Sequence, residues 1–288
     1  MNDFINSHLL SLKRNNFSFP EVELRTLLKK SAINKKEIIL SNFDINNINK
    51  DLFNDAFKRR INKEPISKIF NEKCFWNLDF FVNKKVLDPR PETEFIIEGV
   101  EKYFKNKREK LNFIDLGTGS GCLAISLAKE YFSSKFIATD ISTEALKVAK
   151  NNSKNHKTSN RIKFLNCDWY NGNEIFNVIL SNPPYLNLKE YNNLDEGLKN
   201  NEPKVALYGG IDGLTYYREL GPILSRISNQ DTISFVEIGY KQKDRTIEIF
   251  NEYGMKCIDI IVDYQQYERI LVLMKKSRNN YWLIFLRI

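Results

Sequence analysis

The chain has 288 residues, 42% of them apolar, which supports a sizeable core and excludes disorder as the main state. At roughly 100–200 residues per domain it makes one large domain or two smaller ones. The formal charge of +8 favours acidic partners, but Lys, Asn and Ile crowd the whole chain and no long basic run stands out, so the charge speaks to association and not to fold.

Only two histidines occur, His8 and His156, so neither a histidine triad nor a histidine-ligated metal site is expected. Cys74, Cys122, Cys167 and Cys257 form no CxxC pair and read as reduced, buried thiols. Met1–Asn16 lacks the apolar stretch of a secretory signal. The longest uninterrupted apolar run, Tyr281–Leu286, falls far short of the ~20 residues that span a bilayer. A cytoplasmic protein without membrane contact is the expectation.

In chain order, residues 1–65 read as a small helical domain. His8 lies in its first helix. Pro20 opens a helix over Glu21–Leu28, and Ile48–Ile61 places Ile48, Leu52, Phe53, Ala56 and Phe57 on one face. Residues 66–90 read as a hairpin linker, carried by Phe75, Trp76, Phe80, Phe81 and Val82. A helix near Thr93–Phe104 follows. Strands are predicted at Asn112–Leu116, Lys135–Thr139, Ile162–Asn166, Asn177–Ser181 and Thr232–Ile238, with helices at Cys122–Tyr131, Thr143–Asn152 and Leu214–Arg226. The polar stretch Asn151–Asn160, which holds His156, reads as a loop. Lys256–Val262 and Arg269–Met274 form a closing antiparallel hairpin. Alternating strands and helices predict an α/β fold: a Rossmann-like, mostly parallel sheet with an antiparallel last strand, preceded by the helical domain.

The first of these strands runs into Asp115-Leu-Gly-Thr-Gly-Ser-Gly121 and then a helix. Such a loop turns the backbone tightly beneath a ligand. Its spacing is GxGxG, and the third glycine of the dinucleotide pattern is replaced by Cys122, which counts against NAD. S-adenosylmethionine carries a sulfonium cation and no phosphate, so Asp115 is tolerable near it. Asp140, at the end of the next strand, can accept hydrogen bonds from both ribose hydroxyls. Asp168 can bind the exocyclic amine of adenine, and Trp169 can supply an apolar edge. Asp140 could instead cap the helix from Thr143, though Ser142 suits that role better. Trp169 could instead be core packing.

Strand Asn177–Ser181 ends in Asn182-Pro183-Pro184-Tyr185. Two prolines hold the backbone extended and remove two amide donors. What remains is a set of acceptors suited to a planar NH2 group, with Tyr185 able to lie against its plane. An amide nitrogen is a poor nucleophile. The Asn182 side chain and the Pro183 carbonyl can fix both of its N–H bonds and aim it at a methyl group, so transfer becomes mainly a positioning problem.

With these residues the chain resembles the peptide chain release factor N5-glutamine methyltransferases, the HemK/PrmC family. The tetrapeptide is shared with methyltransferases acting on base nitrogens. More specific are Pro89-Arg-Pro-Glu-Thr-Glu94, Glu202-Pro203 with Ala206-Leu207 and Gly209-Gly210-x-Asp212-Gly213-Leu214, Val236-Glu237-Ile238-Gly239, and Asp263–Leu271. The resemblance implies a class I S-adenosylmethionine-dependent methyltransferase domain over 91–275 and a substrate-docking role for 1–65. It implies methylation of the glutamine in the Gly-Gly-Gln loop of class 1 release factors, with no direct nucleic acid required and a monomer expected. Carried over by position, Gly117, Thr118, Gly119, Ser120, Gly121, Asp140, Trp169 and Asn182 contact the cofactor. Asn182, Pro183, Pro184 and Tyr185 hold the glutamine, and Asn182, Pro183 and Tyr185 are the catalytic set. Arg90 lines the same cleft, or else pairs structurally with Glu92 or Glu94. Leu87 and Asp88 depart from the family's usual aromatic or aliphatic pair. The tail, 276–288, extends past the usual end of the fold and reads as packed or frayed. The competing reading is a methyltransferase of an exocyclic base nitrogen in RNA or DNA, though no nucleic-acid-binding module is recognisable.

Overall fold

Three amphipathic helices build the first unit: α1 (Asp3–Arg14), α2 (Pro20–Ser31) and α3 (Lys50–Ile61). Pro20 sits at the start of α2, where its missing N–H costs nothing. Asn49 caps α3, its side chain accepting from the Leu52 amide at 3.0 Å. The helices share a core of Ile5, Leu12, Leu24, Leu27, Phe53 and Ala56. Arg60 grips Glu23 with two bonds of 2.8 Å. Leu52, expected on the buried face of α3, is exposed, because Phe53 and Ala56 define that face. The short α4 (Ile66–Phe70) follows. The unit comprises Met1–Glu72 together with Asp195–Asn201. The computed structural model describes residues 3–34 and 44–277. The tail expected over 276–288 therefore lies, from residue 278 on, outside the described residues.

The second unit comprises Lys73–Leu194 and Glu202–Ile288. Strands β1 (Glu72–Phe75) and β2 (Leu78–Phe81) form the hairpin, and helix α5 (Glu94–Tyr103) follows. Then come β3 (Asn112–Leu116), α6 (Cys122–Glu130), β4 (Lys135–Asp140), α7 (Thr143–Asn155), β5 (Ile162–Asn166) and β6 (Val178–Ser181). Short helix α8 (Leu188–Asn192) and, in the segment that belongs to the first unit, α9 (Glu196–Asn201) precede α10 (Thr215–Ile227). The chain continues through β7 (Ile233–Glu237), α11 (Lys243–Glu252), β8 (Met255–Val262) and β9 (Glu268–Lys275).

The sheet has the order β5-β4-β3-β6-β7-β9-β8. The first five strands are parallel, and β9 runs antiparallel to both β7 and β8. Every residue of β6 is buried, as a central strand covered on both faces requires. Successive residues of β3 point to opposite faces. Phe113 packs with Val100, Leu127 and Phe136 on one, and Ile114 with Leu224, Val236 and Phe250 on the other.

Three expectations need correction. Helix α7 runs on to Asn155, so much of the stretch read as a loop is helical. Asn152, Ser153 and Thr158 are buried but satisfied, and the Ser153 and Thr158 hydroxyls bond each other at 2.9 Å. The Asn152 side chain accepts from the Phe81 amide (2.8 Å) and donates to the Phe81 and Ser120 carbonyls (3.0 and 2.9 Å), joining the hairpin to the glycine loop. His156 stands at the C-cap of α7, its Nε2 2.9 Å from the Asp79 carbonyl. Helix α11 was not foreseen, because only Thr246, Ile249 and Phe250 mark its buried stripe among charged neighbours. The four cysteines are free, but Cys74 is exposed and the other three are only partly covered.

Between β3 and β6 the chain order reverses: β4 and β5 lie on one side, β6 and β7 on the other. Such a switch point leaves a crevice at the carboxyl ends of the strands.

Candidate active site

That crevice is lined by the glycine loop after β3, Asp140 at the end of β4, Asp168 and Trp169 after β5, and Asn182, Pro183 and Pro184 after β6. Lys85, Arg90, Thr93, Val205 and Tyr216 are among the other residues of its walls, and all lining residues belong to the second unit. Gly117, Thr118, Gly119, Ser120 and Arg90 are thus brought together as expected from the sequence. Gly121 and Tyr185 are not on the wall. Gly121 is the N-cap of α6, packed against Ala149, and Tyr185 points to Glu237.

The loop is held from both sides. Gly117 and Thr118 donate their amides to the Thr139 carbonyl (3.0 and 2.8 Å). Gly119, at φ +56°, donates its amide to Asp140 Oδ2 (2.9 Å), a backbone shape that glycine adopts without strain. Asp140 Oδ1 accepts from the Ser142 amide (2.8 Å). The side chain of Ser142, not that of Asp140, caps α7, accepting from Ala145 at 3.1 Å. Burial raises the Asp140 carboxyl above its ordinary value, against the two backbone donors. Asp115 is buried beneath the loop, accepts from Thr118 Oγ1 (2.5 Å), and is pushed up by burial to about 7. Trp169 is half-buried over Gly117, at φ +49°, and donates Nε1 to Glu219 (2.8 Å). Its ring meets Tyr216 edge-on with centroids 5.7 Å apart. Asp168 is exposed at the cleft.

The tetrapeptide is anchored by groups to which the sequence reading assigned no role. Asn182 Nδ2 donates to Thr93 Oγ1 (2.9 Å), and Thr93 donates to Glu237 Oε2 (2.7 Å). The Tyr185 hydroxyl donates to Glu237 Oε1 (3.3 Å). The Tyr185 carbonyl accepts from Gln242 Nε2 (2.9 Å), so this carbonyl is spent on structure and is not presented to a ligand. Thr93 and Glu237 both lie in the quoted motifs, Pro89–Glu94 and Val236–Gly239. Their positions in those motifs were the only available signal. Arg90 pairs with Glu202 (2.5 Å) and not with Glu92 or Glu94. Glu202 is fully buried, so the cation faces the cleft with its charge already partnered.

Burial raises Glu237 to about 7, against the hydrogen bonds from Thr93 and Tyr185. A carboxyl raised on folding stabilises the folded state below its unfolded value and loses that contribution as pH climbs through the folded one. Glu237→Gln stays neutral throughout. Its stability relative to the native protein is therefore expected to improve by on the order of 3 kcal/mol between pH 4.5 and 8. Urea unfolding of both proteins across that range measures it. Parallel stability curves would contradict the buried, proton-binding state of Glu237.

Residues 86–198 match the methyltransferase small domain family. A release factor glutamine methyltransferase of Caulobacter vibrioides is 34% identical over 260 residues, spanning 89% of this chain and 90% of the relative. The chain belongs to the release factor glutamine methyltransferase family. A bifunctional methyltransferase of Rickettsia bellii is 33% identical over 298 residues, 93% of this chain but 53% of that protein. The chain thus spans about half the length of the bifunctional relatives it matches. The crystal structure of a methyltransferase from Pyrococcus furiosus shares the fold, with a TM-score of 0.51 at 18% identity over 77% of this chain and 99% of that one.

The cofactor of this methyltransferase family is S-adenosylmethionine, and the cleft fits it. The loop side, from Thr118 to Trp169, presents the carboxyls of Asp140 and Asp168 and no Lys or Arg, a set of acceptors hostile to phosphate and compatible with a cation, while Lys85 and Arg90 lie elsewhere on the wall. Each oxygen of Asp140 takes one backbone N–H and retains a lone pair, which suits a vicinal diol.

Proposed function

We propose that the chain methylates the side-chain amide nitrogen of the glutamine in the Gly-Gly-Gln loop of class 1 peptide chain release factors. The observation that carries this reading is the orientation of Asn182. With Nδ2 committed to Thr93, its Oδ1 is the atom left for the cleft, an acceptor for an N–H of a planar amide.

When bound, S-adenosylmethionine supplies a methyl group on a positively charged sulfur. The loop Gly117–Ser120 would hold it, with Asp140 on the ribose, Asp168 and Trp169 at the adenine, and Asn182 at the junction with the substrate. Asn182 Oδ1 and the Pro183 carbonyl accept the two N–H bonds of the glutamine, while Pro184 and Tyr185 keep this edge in place. Fixing the nitrogen in line supplies most of the rate, since proximity alone is worth up to about 7–11 kcal/mol. No strong base is needed beforehand. The nitrogen becomes acidic only as it gains the methyl group, and its proton then passes to water. Arg90, neutralised by Glu202, offers a directed donor at the same wall. The helical first unit is proposed to dock the protein substrate, and a substrate active in translation places the enzyme in the cytoplasm. Among the described residues no helix is long and apolar enough to cross a membrane.

The test is transfer of labelled methyl to a purified class 1 release factor, beside a Gln→Ala variant of its Gly-Gly-Gln loop and total RNA. Label on the native factor alone is expected. Label on RNA with none on the factor would replace this reading with that of a base-nitrogen methyltransferase.

A further inference from the structure

We infer that Thr93 and Glu237 are positioning residues that set the polarity of Asn182, so that its carboxamide oxygen and not its nitrogen faces the substrate. The inference deepens the proposed glutamine reading and rests on it for the identity of the substrate. Its basis is the chain of bonds behind the cleft wall. Thr93 is 3% exposed and Glu237 is 1% exposed, so neither has solvent to turn to. Each Glu237 oxygen takes one hydroxyl, Oε2 that of Thr93 and Oε1 that of Tyr185, and in its ionised form the carboxylate is acceptor-only, so in that form Thr93 directs its single proton to Glu237. Thr93 Oγ1 is then left with lone pairs alone, and the only half of the Asn182 amide it can receive is Nδ2. A flipped Asn182 would set Oδ1 against Oγ1, two acceptors at hydrogen-bond distance. The same carboxylate takes the Tyr185 hydroxyl on its other oxygen, so Asn182 and Tyr185 are registered to one buried group.

Three places supply this relay: the turn before α5 gives Thr93, the residue after β6 is Asn182, and the last residue of β7 is Glu237. Glu237 pairs with Ile270 on β9, which holds its backbone at the end of β7. A polar chain running from the sheet to the catalytic tetrapeptide is more than burial requires, because an apolar residue would fill the place of Glu237 without a desolvation cost.

The experiment is a double-mutant cycle of Thr93→Val and Asn182→Ala, with Thr93→Ser as the variant that keeps the hydroxyl. Thr93→Val is expected to lower kcat about 10-fold in the native background, with KM for S-adenosylmethionine within 2-fold. In the Asn182→Ala background it is expected to cost less than 2-fold, because the bond it removes is the one that aims Asn182. Thr93→Ser is expected to retain most turnover. An equal loss in both backgrounds, or none in either, would overturn the relay. Hydrogen exchange of the Asn182 side-chain amide, followed by NMR in the native protein without substrate, reads the relay apart from activity. Slow exchange of the proton held by Thr93 is expected, and rapid exchange of both protons would overturn the inference. Should the native enzyme label no release factor, the proposed substrate fails, and the exchange measurement still decides the relay.

Discussion

Asn182→Ala is expected to lower kcat by about 100- to 1000-fold while leaving the fold and the affinity for S-adenosylmethionine near native. The magnitude follows from what one pre-aimed hydrogen-bonding group contributes in a site shielded from water, about 3–4 kcal/mol. The substrate amide has two N–H bonds to satisfy. With the Asn182 acceptor gone, one of them turns to water and the nitrogen loses its fixed direction. The fold should survive, because Asn182 is only half-buried and its one observed bond is to Thr93. The glycine loop and Asp140 are held by the β3–β4 edge and not by Asn182. Single-turnover labelling beside equilibrium cofactor binding separates the two effects. Turnover within 10-fold of native would sink the acceptor role. A parallel collapse of cofactor affinity would instead make Asn182 chiefly a cofactor ligand.

The second large effect is expected at a residue outside the cleft. Gly209→Ala should lower turnover about 100-fold and destabilise the protein by about 3 kcal/mol. A Cβ at Gly209 would lie 2.7 Å from the Pro184 carbonyl oxygen and 2.8 and 2.9 Å from Tyr185 Cα and carbonyl carbon. These atoms are backbone, so no rotamer change relieves the contact. The strip is pinned on both sides, with Gly209 donating to the Leu186 carbonyl (2.8 Å) and Thr215 donating to the Gly209 carbonyl (3.0 Å). The relief left is to displace Pro184 and Tyr185, and a shift of about 1 Å at such a site costs about 100-fold. Gly254→Ala is the control. It has φ +75° but nothing within 4 Å of the added carbon, and it lies in the turn before β8, away from the cleft residues. It should cost about 1–2 kcal/mol of stability and no turnover. Equal activity in the two variants would show that Gly209 does not hold the tetrapeptide.

Much of the parallel sheet was legible because buried strands read as short apolar runs between Gly- and Asp-rich turns. The runs at Asn112–Leu116 and Ile162–Asn166 became β3 and β5 with the expected bounds. The cofactor side of the cleft was legible for a local reason. Its residues follow strand ends, and a parallel sheet brings strand ends together whatever the details of packing. Polarity misleads at Asn151–Asn160, which predicts a loop, yet Asn152 and Ser153 are wholly buried within α7. Polarity in sequence does not reveal that a partner such as the Phe81 backbone will satisfy the group. Leu52 was assigned to a buried face for the opposite reason, since an apolar side chain does not announce whether a neighbour will cover it.

The order of the sheet strands, the glycine loop, the acid that follows it at Asp140 and the chemistry of a tetrapeptide rich in acceptors are legible in the sequence. These depend on residue type and on neighbours within a few positions. Only the tertiary structure decided which partner each polar group finds. Arg90 meets Glu202 and not the nearby Glu92 or Glu94, Asn182 donates to Thr93, and Thr93 and Tyr185 share Glu237. The physical reason is distance along the chain. Pairs 112, 89, 144 and 52 residues apart are joined by strand order and register, and hydrogen-bond direction is settled only when donors and acceptors meet.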